Sequence, residues 1–288
     1  MPELPEVETI RRALLPALVG RRIAVAAVYD PRLVRPLHPS LAAGLLEGHR
    51  IERLGRRGKY LTWHLDDDTV AVLHLRMTGA LLLDERPDPH TRARLELDDG
   101  TIVRYRDVRR FGTLEVGSVH EVLGPIDRRL GPEPLDAGAF TADGLWRSLR
   151  RRSAPIKAVL LDQRVVAGVG NIYADEALFT AGIRPGRIAR SLGRAESDRL
   201  HRAVRSVLAE GIVRGGSTLR DYSRPDGSEG GMQDAFRAYG RAGLGCLACG
   251  SPMASGTIAG RTTVWCPACQ RRGASPGAPG AGRRHLQD

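Results

Sequence analysis

Apolar residues at Leu4, Val7, Ile10, Leu14 and Leu18 recur at intervals of three and four, the spacing that lines one face of an α-helix, and the pattern stops at Gly20. From Ile23 the period shortens to two. Runs at 23–29, 60–65, 70–75, 80–83, 92–97, 101–105 and 114–116 read as strands, and Asp98-Asp99-Gly100 supplies a tight hairpin turn between two of them. After Leu130-Gly131-Pro132-Glu133-Pro134-Leu135 the helical period returns at 142–151, 156–163, 172–181 and 196–213. The last of these carries one stripe, Leu200, Ala203, Val204, Val207, Leu208 and Ile212, and Gly182 is placed to cap the third. A boundary therefore falls at 124–138. The fold class predicted is α+β: a β-sandwich or barrel with a leading helix at 2–130, a helical unit at 137–225, and a small finger at 236–270. Residues 215–231 contain five glycines and read as a flexible loop. The Arg-, Gly-, Ala- and Pro-rich end, 271–288, reads as a disordered basic tail.

A chain of 288 residues is long enough for two cores. Its 44 Lys and Arg outnumber 33 Asp and Glu, a net charge of +11, and the pI near 10.3 points to a polyanion partner. No apolar run approaches the ~18 residues of a membrane span, and the acidic N-terminus lacks the basic and apolar regions of a signal peptide. The expectation is a cytoplasmic or nucleoid-associated monomer.

The four cysteines fall as Cys246-x2-Cys249 and Cys266-x2-Cys269, with none left over. Two such knuckles supply four thiolates to one tetrahedral ion, so the spacing predicts a structural Zn2+ site; two disulfides are the alternative for a secreted chain. Between the pairs, 257–265 reads as a β-hairpin turning near Gly260, with Arg261 projecting from its tip.

Two further features carry chemistry. Met1 is readily removed before a small residue, which leaves Pro2 as a secondary amine beside the carboxyl of Glu3. An amine that condenses with an aldehyde, next to an acid, is equipped for covalent catalysis. A plainer reading is a helix start, with Pro5 at the first helical position and Glu6 and Glu8 complementing the helix dipole. The basic residues are also lopsided, since only Lys59 and Lys157 are lysines and the rest are arginines. An ammonium is compact and can give up its proton, which arginine does poorly.

The opening MPELPEVET, His74-Leu75-Arg76-Met77-Thr78-Gly79, Asp107-Val108-Arg109-Arg110-Phe111-Gly112, the LGPEPL stretch, Gly168-Val169-Gly170-Asn171 with the residues to Leu178, and the closing cysteine ribbon occur in this order. Together they resemble the formamidopyrimidine-DNA glycosylase family over residues 2 to 270. Leu4 stands where the related endonuclease VIII group has glycine.

The resemblance implies a helix-two-turn-helix in the helical unit, damaged double-stranded DNA as partner, and a repair enzyme that excises oxidised purines and cuts the strand. It implies that the Pro2 amine attacks C1′ and that Glu3 protonates the sugar ring oxygen. Lys59 becomes the phosphate contact and proton donor for β-elimination, and Arg261 the residue of δ-elimination. Met77, Arg109 and Phe111 become the wedge that fills the gap left by an extruded nucleotide, although strand-end apolar residues are also ordinary core. His90, Arg152, Lys157 and Asn171 become DNA contacts, whereas Arg56, Arg57, Arg150 and Arg151 read as general electrostatics. Val108 replaces a common proline, and Arg220 replaces a common lysine in the loop facing the extruded base. The alternatives are an oxidised-pyrimidine glycosylase and a zinc-ribbon DNA-binding protein without catalysis.

Overall fold

The computed structural model describes residues 2–218 and 224–271. Met1, Arg220 and residues 272–288 of the expected tail lie outside them. The first helix, α1 (Leu4–Leu18), begins with Pro5 in its first turn, where a missing N–H costs nothing, and the Glu3 N–H donates to Glu6 Oε2 at 2.8 Å. Its apolar face divides. Leu4 packs into the C-terminal core, while Val7, Ile10, Leu14 and Leu18 pack into the N-terminal one, so a single helix joins the two.

Next come β1 (Ile23–Val28), a short α2 (Pro39–Gly44), β2 (Ile51–Arg57), β3 (Tyr60–Leu65), β4 (Thr69–His74), β5 (Gly79–Leu82), β6 (Thr91–Leu97), β7 (Ile102–Asp107), β8 (Thr113–Ser118) and α3 (Val119–Arg129). The strands form two antiparallel sheets, ordered β1-β6-β7-β5 and β2-β3-β4-β8. Ile23, Leu81, Leu95 and Val103 of the first meet Leu54, Trp63, Leu73 and Val116 of the second in one shared core. The N-terminal half is thus a β-sandwich.

Three elements were not expected. Strand β2 buries only Ile51 and Leu54 of its seven residues, because it is an edge strand whose other face is polar. The Gly124-Pro125 pair, where the expected boundary begins, lies inside α3, where the Ser118 hydroxyl caps the first turn and Val122 and Ile126 pack with Val70 and Val72 of β4. Here tertiary burial overrides a local breaker. The helix α2 has one buried residue, Ala42, and so carries no stripe to read.

The helices α4 (Ala142–Arg150), α5 (Ile156–Leu161), α6 (Asn171–Thr180) and α7 (Arg194–Val213) surround the second core. Helix α6 is buried on every side from Ile172 to Leu178, which is why it shows no amphipathic stripe. The C-terminal hairpin pairs β9 (Ala254–Ile258) with β10 (Arg261–Trp265) through Ala259-Gly260. Both turn residues have positive φ, 50° and 68°, the type I′ geometry that matches strand twist.

Candidate active site

The carboxylate of Glu3, 2% exposed, sits at the N-terminus of α6. Its Oε2 accepts from the Gly170 N–H at 2.6 Å, and its Oε1 accepts from the Ile172 N–H at 2.9 Å. Residue 170 must be glycine, because a Cβ there would lie 2.3 Å from Glu3 Cδ. Leu4 is fixed beside it by its N–H bond to Gly168 O at 3.1 Å. Burial pushes the Glu3 carboxyl above the ordinary range, against the opposing pull of the Lys59 ammonium and the Ile172 N–H. Glu3 is therefore an acid that holds its proton more readily than a surface glutamate. Pro2 is buried immediately before it.

Glu6, one turn along, is a junction: Oε2 accepts from the Glu3 N–H, and Oε1 accepts from Tyr173 Oη at 2.9 Å, Ser217 N at 2.9 Å and Ser217 Oγ at 3.1 Å. It ties the N-terminus to α6 and to the start of the glycine-rich loop.

Lys59 lies at the turn between β2 and β3, with Gly58 at φ 55°. The turn is clamped by Glu133, whose carboxylate receives Arg56 Nη1 at 2.8 Å, Arg57 Nη1 at 3.1 Å and the Gly58 N–H. Arg56 and Arg57 are thus internal struts rather than free surface charge. Burial lowers the Lys59 pKa, opposed by Glu3 and Glu6, so this ammonium gives up its proton more easily than a solvated one. Nearby His74 is held near pKa about 3 by burial and the charges of Arg76 and Lys59, so it is neutral, and its Nδ1 accepts from the Arg76 N–H at 3.0 Å. Glu3, Lys59, His74, Met77, Asn171 and Arg261 line one open cleft of about 660 Å³.

At the rim of the sandwich, Met77 and Phe111 are 39% and 51% exposed. Arg109 stacks over the Phe111 ring, 4.8 Å from its centroid, and its Nη1 lies 3.3 Å from Met77 Sδ. The three side chains form an exposed cluster rather than core. Buried Asp107 organises their loops, accepting from the Thr78 hydroxyl, the Arg109 N–H at 3.2 Å, the Gly112 N–H at 2.8 Å and Tyr105 Oη at 3.3 Å. Gly112 cannot carry a side chain, since its Cβ would fall 1.7 Å from Tyr105 Oη.

The four cysteines bring their sulfurs within 4.8 Å of one another, and none is in a disulfide. Arg261, the first residue of β10, is exposed toward the cleft. Asn171, first in α6, donates its amide to Thr262 O at 3.1 Å. Lys157 departs from the expected DNA contact: its side chain is fully buried and bonds to Asp175, Thr262 and Thr263. His90 and Arg152 are half-buried, His90 beside Arg92 at 3.3 Å and Arg152 on Ser148 O at 2.8 Å.

Sequence reading missed Glu133, His74 and Asp107 as site residues, although each stands in a motif already quoted. The usable signal was an acid inside a Pro-Gly linker of a basic protein, and a His and an Asp opening the segments that carry Met77 and Phe111.

The described geometry agrees with comparisons to known proteins. Residues 1–114 match the formamidopyrimidine-DNA glycosylase N-terminal domain, and 130–223 match the H2TH domain of the same family. The chain is 49% identical over 278 residues to the formamidopyrimidine-DNA glycosylase of Thermus thermophilus, covering 95% of this chain and all of that protein. The corresponding Geobacillus kaustophilus protein is 45% identical over 280 residues, with 94% and 100% covered. Among solved structures, the Thermus thermophilus MutM (Fpg) protein aligns with a TM-score of 0.85 at 48% identity, covering 93% of this chain and 98% of that one. The Lactococcus lactis Fpg in complex with DNA containing an abasic site aligns with a TM-score of 0.87 at 37% identity, covering 94% and 100%. With the fold, the motifs and relatives of full length in agreement, the chain belongs to the formamidopyrimidine-DNA glycosylase family.

Proposed function

We propose that this protein excises oxidised purines, 8-oxoguanine and formamidopyrimidines, from double-stranded DNA in base excision repair and then cuts the strand as an abasic-site lyase. The observation that carries the reading is the convergence of Glu3, Lys59 and Arg261, from the beginning, first third and end of the chain, on one basic cleft beside Pro2. Removal of Met1 frees the Pro2 amine, which attacks C1′ of the damaged nucleotide. Glu3 gives its proton to the ring oxygen, the ring opens, and the base leaves with the bonding pair. The iminium left on Pro2 withdraws electrons, so C2′ loses a proton and the C3′–O bond breaks, with Lys59 supplying a proton at the cut. A second proton leaves C4′ and the C5′–O bond breaks, while Arg261 neutralises the departing phosphate.

The extruded nucleotide leaves a gap, at a cost of a few kcal/mol, that the Met77, Arg109 and Phe111 cluster would fill. Asn171, His90 and Arg152 would hold phosphates. Lys157 is left out of that set. Residues 2–130 would supply the chemistry, 137–225 the main DNA grip and 236–270 a finger reaching the cut. The protein would act as a monomer on chromosomal DNA in the cytoplasm.

Cys246, Cys249, Cys266 and Cys269 would hold one Zn2+. Sulfur pairs 3.5 Å and 3.9 Å apart fit the ~3.8 Å edge of a tetrahedron whose Zn–S bonds are about 2.3 Å. The ion would be structural, stiffening the finger.

Single-turnover cleavage of duplexes carrying 8-oxoguanine opposite cytosine, or thymine glycol, tests the reading. Faster release of 8-oxoguanine with phosphate at both ends of the gap is expected. Faster release of thymine glycol would favour the oxidised-pyrimidine reading, and binding without any cleavage would favour a non-catalytic protein.

A further inference from the structure

The one lysine that the mechanism does not use is buried and held on three sides. Lys157, on α5, has no exposed side-chain surface, and its Nζ meets Asp175 Oδ1 at 2.7 Å, Thr263 Oγ1 at 2.8 Å and Thr262 O at 3.0 Å. An ammonium has three N–H groups, and three acceptors are present. Asp175, on α6, uses its second oxygen to accept from the Val264 N–H at 3.2 Å. Thr263 Oγ1 in turn donates to Arg261 O at 3.0 Å, and Asn171 adds its bond to Thr262 O. Backbone or side-chain groups of every residue from Arg261 to Val264 are therefore anchored to this network.

We propose that the Lys157–Asp175 pair is a positioning device for Arg261, setting the height of the finger tip over the cleft and so controlling the second elimination. Burying two charges is a costly way to gain stability, and a well-packed apolar contact would serve that purpose as well. What the pair supplies instead is direction, because its outward bonds end on particular atoms of Thr262, Thr263 and Val264 in β10. The site also explains why a chain that has otherwise replaced lysine keeps one here. A guanidinium would bring five donors in a planar fork to a closed site with three acceptors arranged for a tetrahedral head. Burial lowers the Lys157 pKa, and the charge of Asp175 opposes that shift. The finger's approach is held from the same helix: Glu176 accepts from the Arg237 N–H at 3.0 Å, Ala238 N–H at 2.9 Å and Tyr239 N–H at 2.8 Å.

The inference rests on the role of Arg261 proposed above, and the test separates the two. A duplex with a preformed abasic site would be cut by the full-length, zinc-loaded protein and by Asp175→Asn, Thr263→Val and Arg261→Ala variants. The readouts are the ratio of β,δ- to β-elimination ends, the rate of borohydride-trapped adduct, and zinc content. Misplacing a charge by about 1 Å can cost up to ~100-fold, so Asp175→Asn should lower the β,δ share by roughly tenfold while adduct formation changes by less than about twofold. Thr263→Val, a milder change, should move the ratio in the same direction and keeps the test open if Asp175→Asn does not fold. Adding either change to Arg261→Ala should have no further effect on the ratio. An unchanged ratio in Thr263→Val and Asp175→Asn, or a parallel fall of every step with loss of zinc, would overturn the positioning role. An unchanged ratio in Arg261→Ala would instead overturn the role given to Arg261.

Discussion

At the scale of single residues, the site depends on how closely backbone is allowed to approach a carboxylate. Glu3 reaches the start of α6 only because residue 170 has no side chain. Gly170→Ala should displace the acid and slow base release by roughly 10- to 100-fold, with affinity for an uncleavable abasic analogue little changed. Single-turnover kinetics alongside a binding titration would show it; equal losses in both would mean that the substitution damages DNA binding instead. Because burial raises the Glu3 pKa, its proton is retained further up the pH scale, and base release should fall as pH rises through that value.

Glu8 has the opposite behaviour. Burial alone would raise it, but hydrogen bonds from Arg11 and Arg12 and the charges of Arg11 and Arg56 outweigh burial and hold it at about 2. Its folded pKa lies below the ~4.3 of an unfolded glutamate, so its contribution is complete above that pH and is lost as pH falls toward about 2. Glu8→Gln should flatten the acid limb of the stability curve, followed by circular dichroism between those values. At this scale the clustering of the cysteines was legible from their spacing, and the roles proposed for Pro2 and Glu3 were suggested by residue type together with the family resemblance. The placement of Lys157 was not. A scarce cation marks a constrained site, but only the fold distinguishes a phosphate contact from a buried ion pair.

Among the elements, those with a clean period were readable and those defined by their neighbours were not. The stripe of α7 and the strands from β3 to β8 stand within about two residues of their expected bounds. Strand β2 and helix α3 escaped because one is a polar edge and the other contains Gly124-Pro125. The loops that carry Met77, Arg109 and Phe111 owe their shape to Asp107, whose two oxygens receive four donors. An asparagine offers only one acceptor oxygen. Asp107→Asn should therefore slow excision of 8-oxoguanine from a fully paired duplex by roughly tenfold, and less when the lesion is already unstacked in a mismatch or single strand. A uniform loss across these substrates would place Asp107 in catalysis rather than in base extrusion. For the finger, chelating the metal should abolish tight DNA binding, since such ribbons fold around their ion. Fluorescence anisotropy with chelated and zinc-restored protein checks this, and retained affinity without metal would contradict it.

On the scale of the whole molecule, two cores are joined by α1, which contributes Leu4 to one and Val7 to Leu18 to the other. The same helix carries the N-terminus to the start of α6. The sandwich and the helical half thus share a buried attachment through this helix, reinforced by Glu133 across the β2–β3 turn. The division into a strand-rich and a helical half is visible in the change of period near residue 130; the attachment is not, because it is made by long-range contacts of Leu4, Glu6 and Glu133. In the proposed function this arrangement presents the Pro2 amine to C1′. Borohydride trapping on an 8-oxoguanine duplex, with the N-terminus verified by mass spectrometry, tests it most directly. Protein lacking Met1 should form a covalent adduct attached at Pro2, and protein retaining Met1 should bind the duplex without forming one. Absence of an adduct from the Met1-free protein, or attachment at Lys59, would contradict the account.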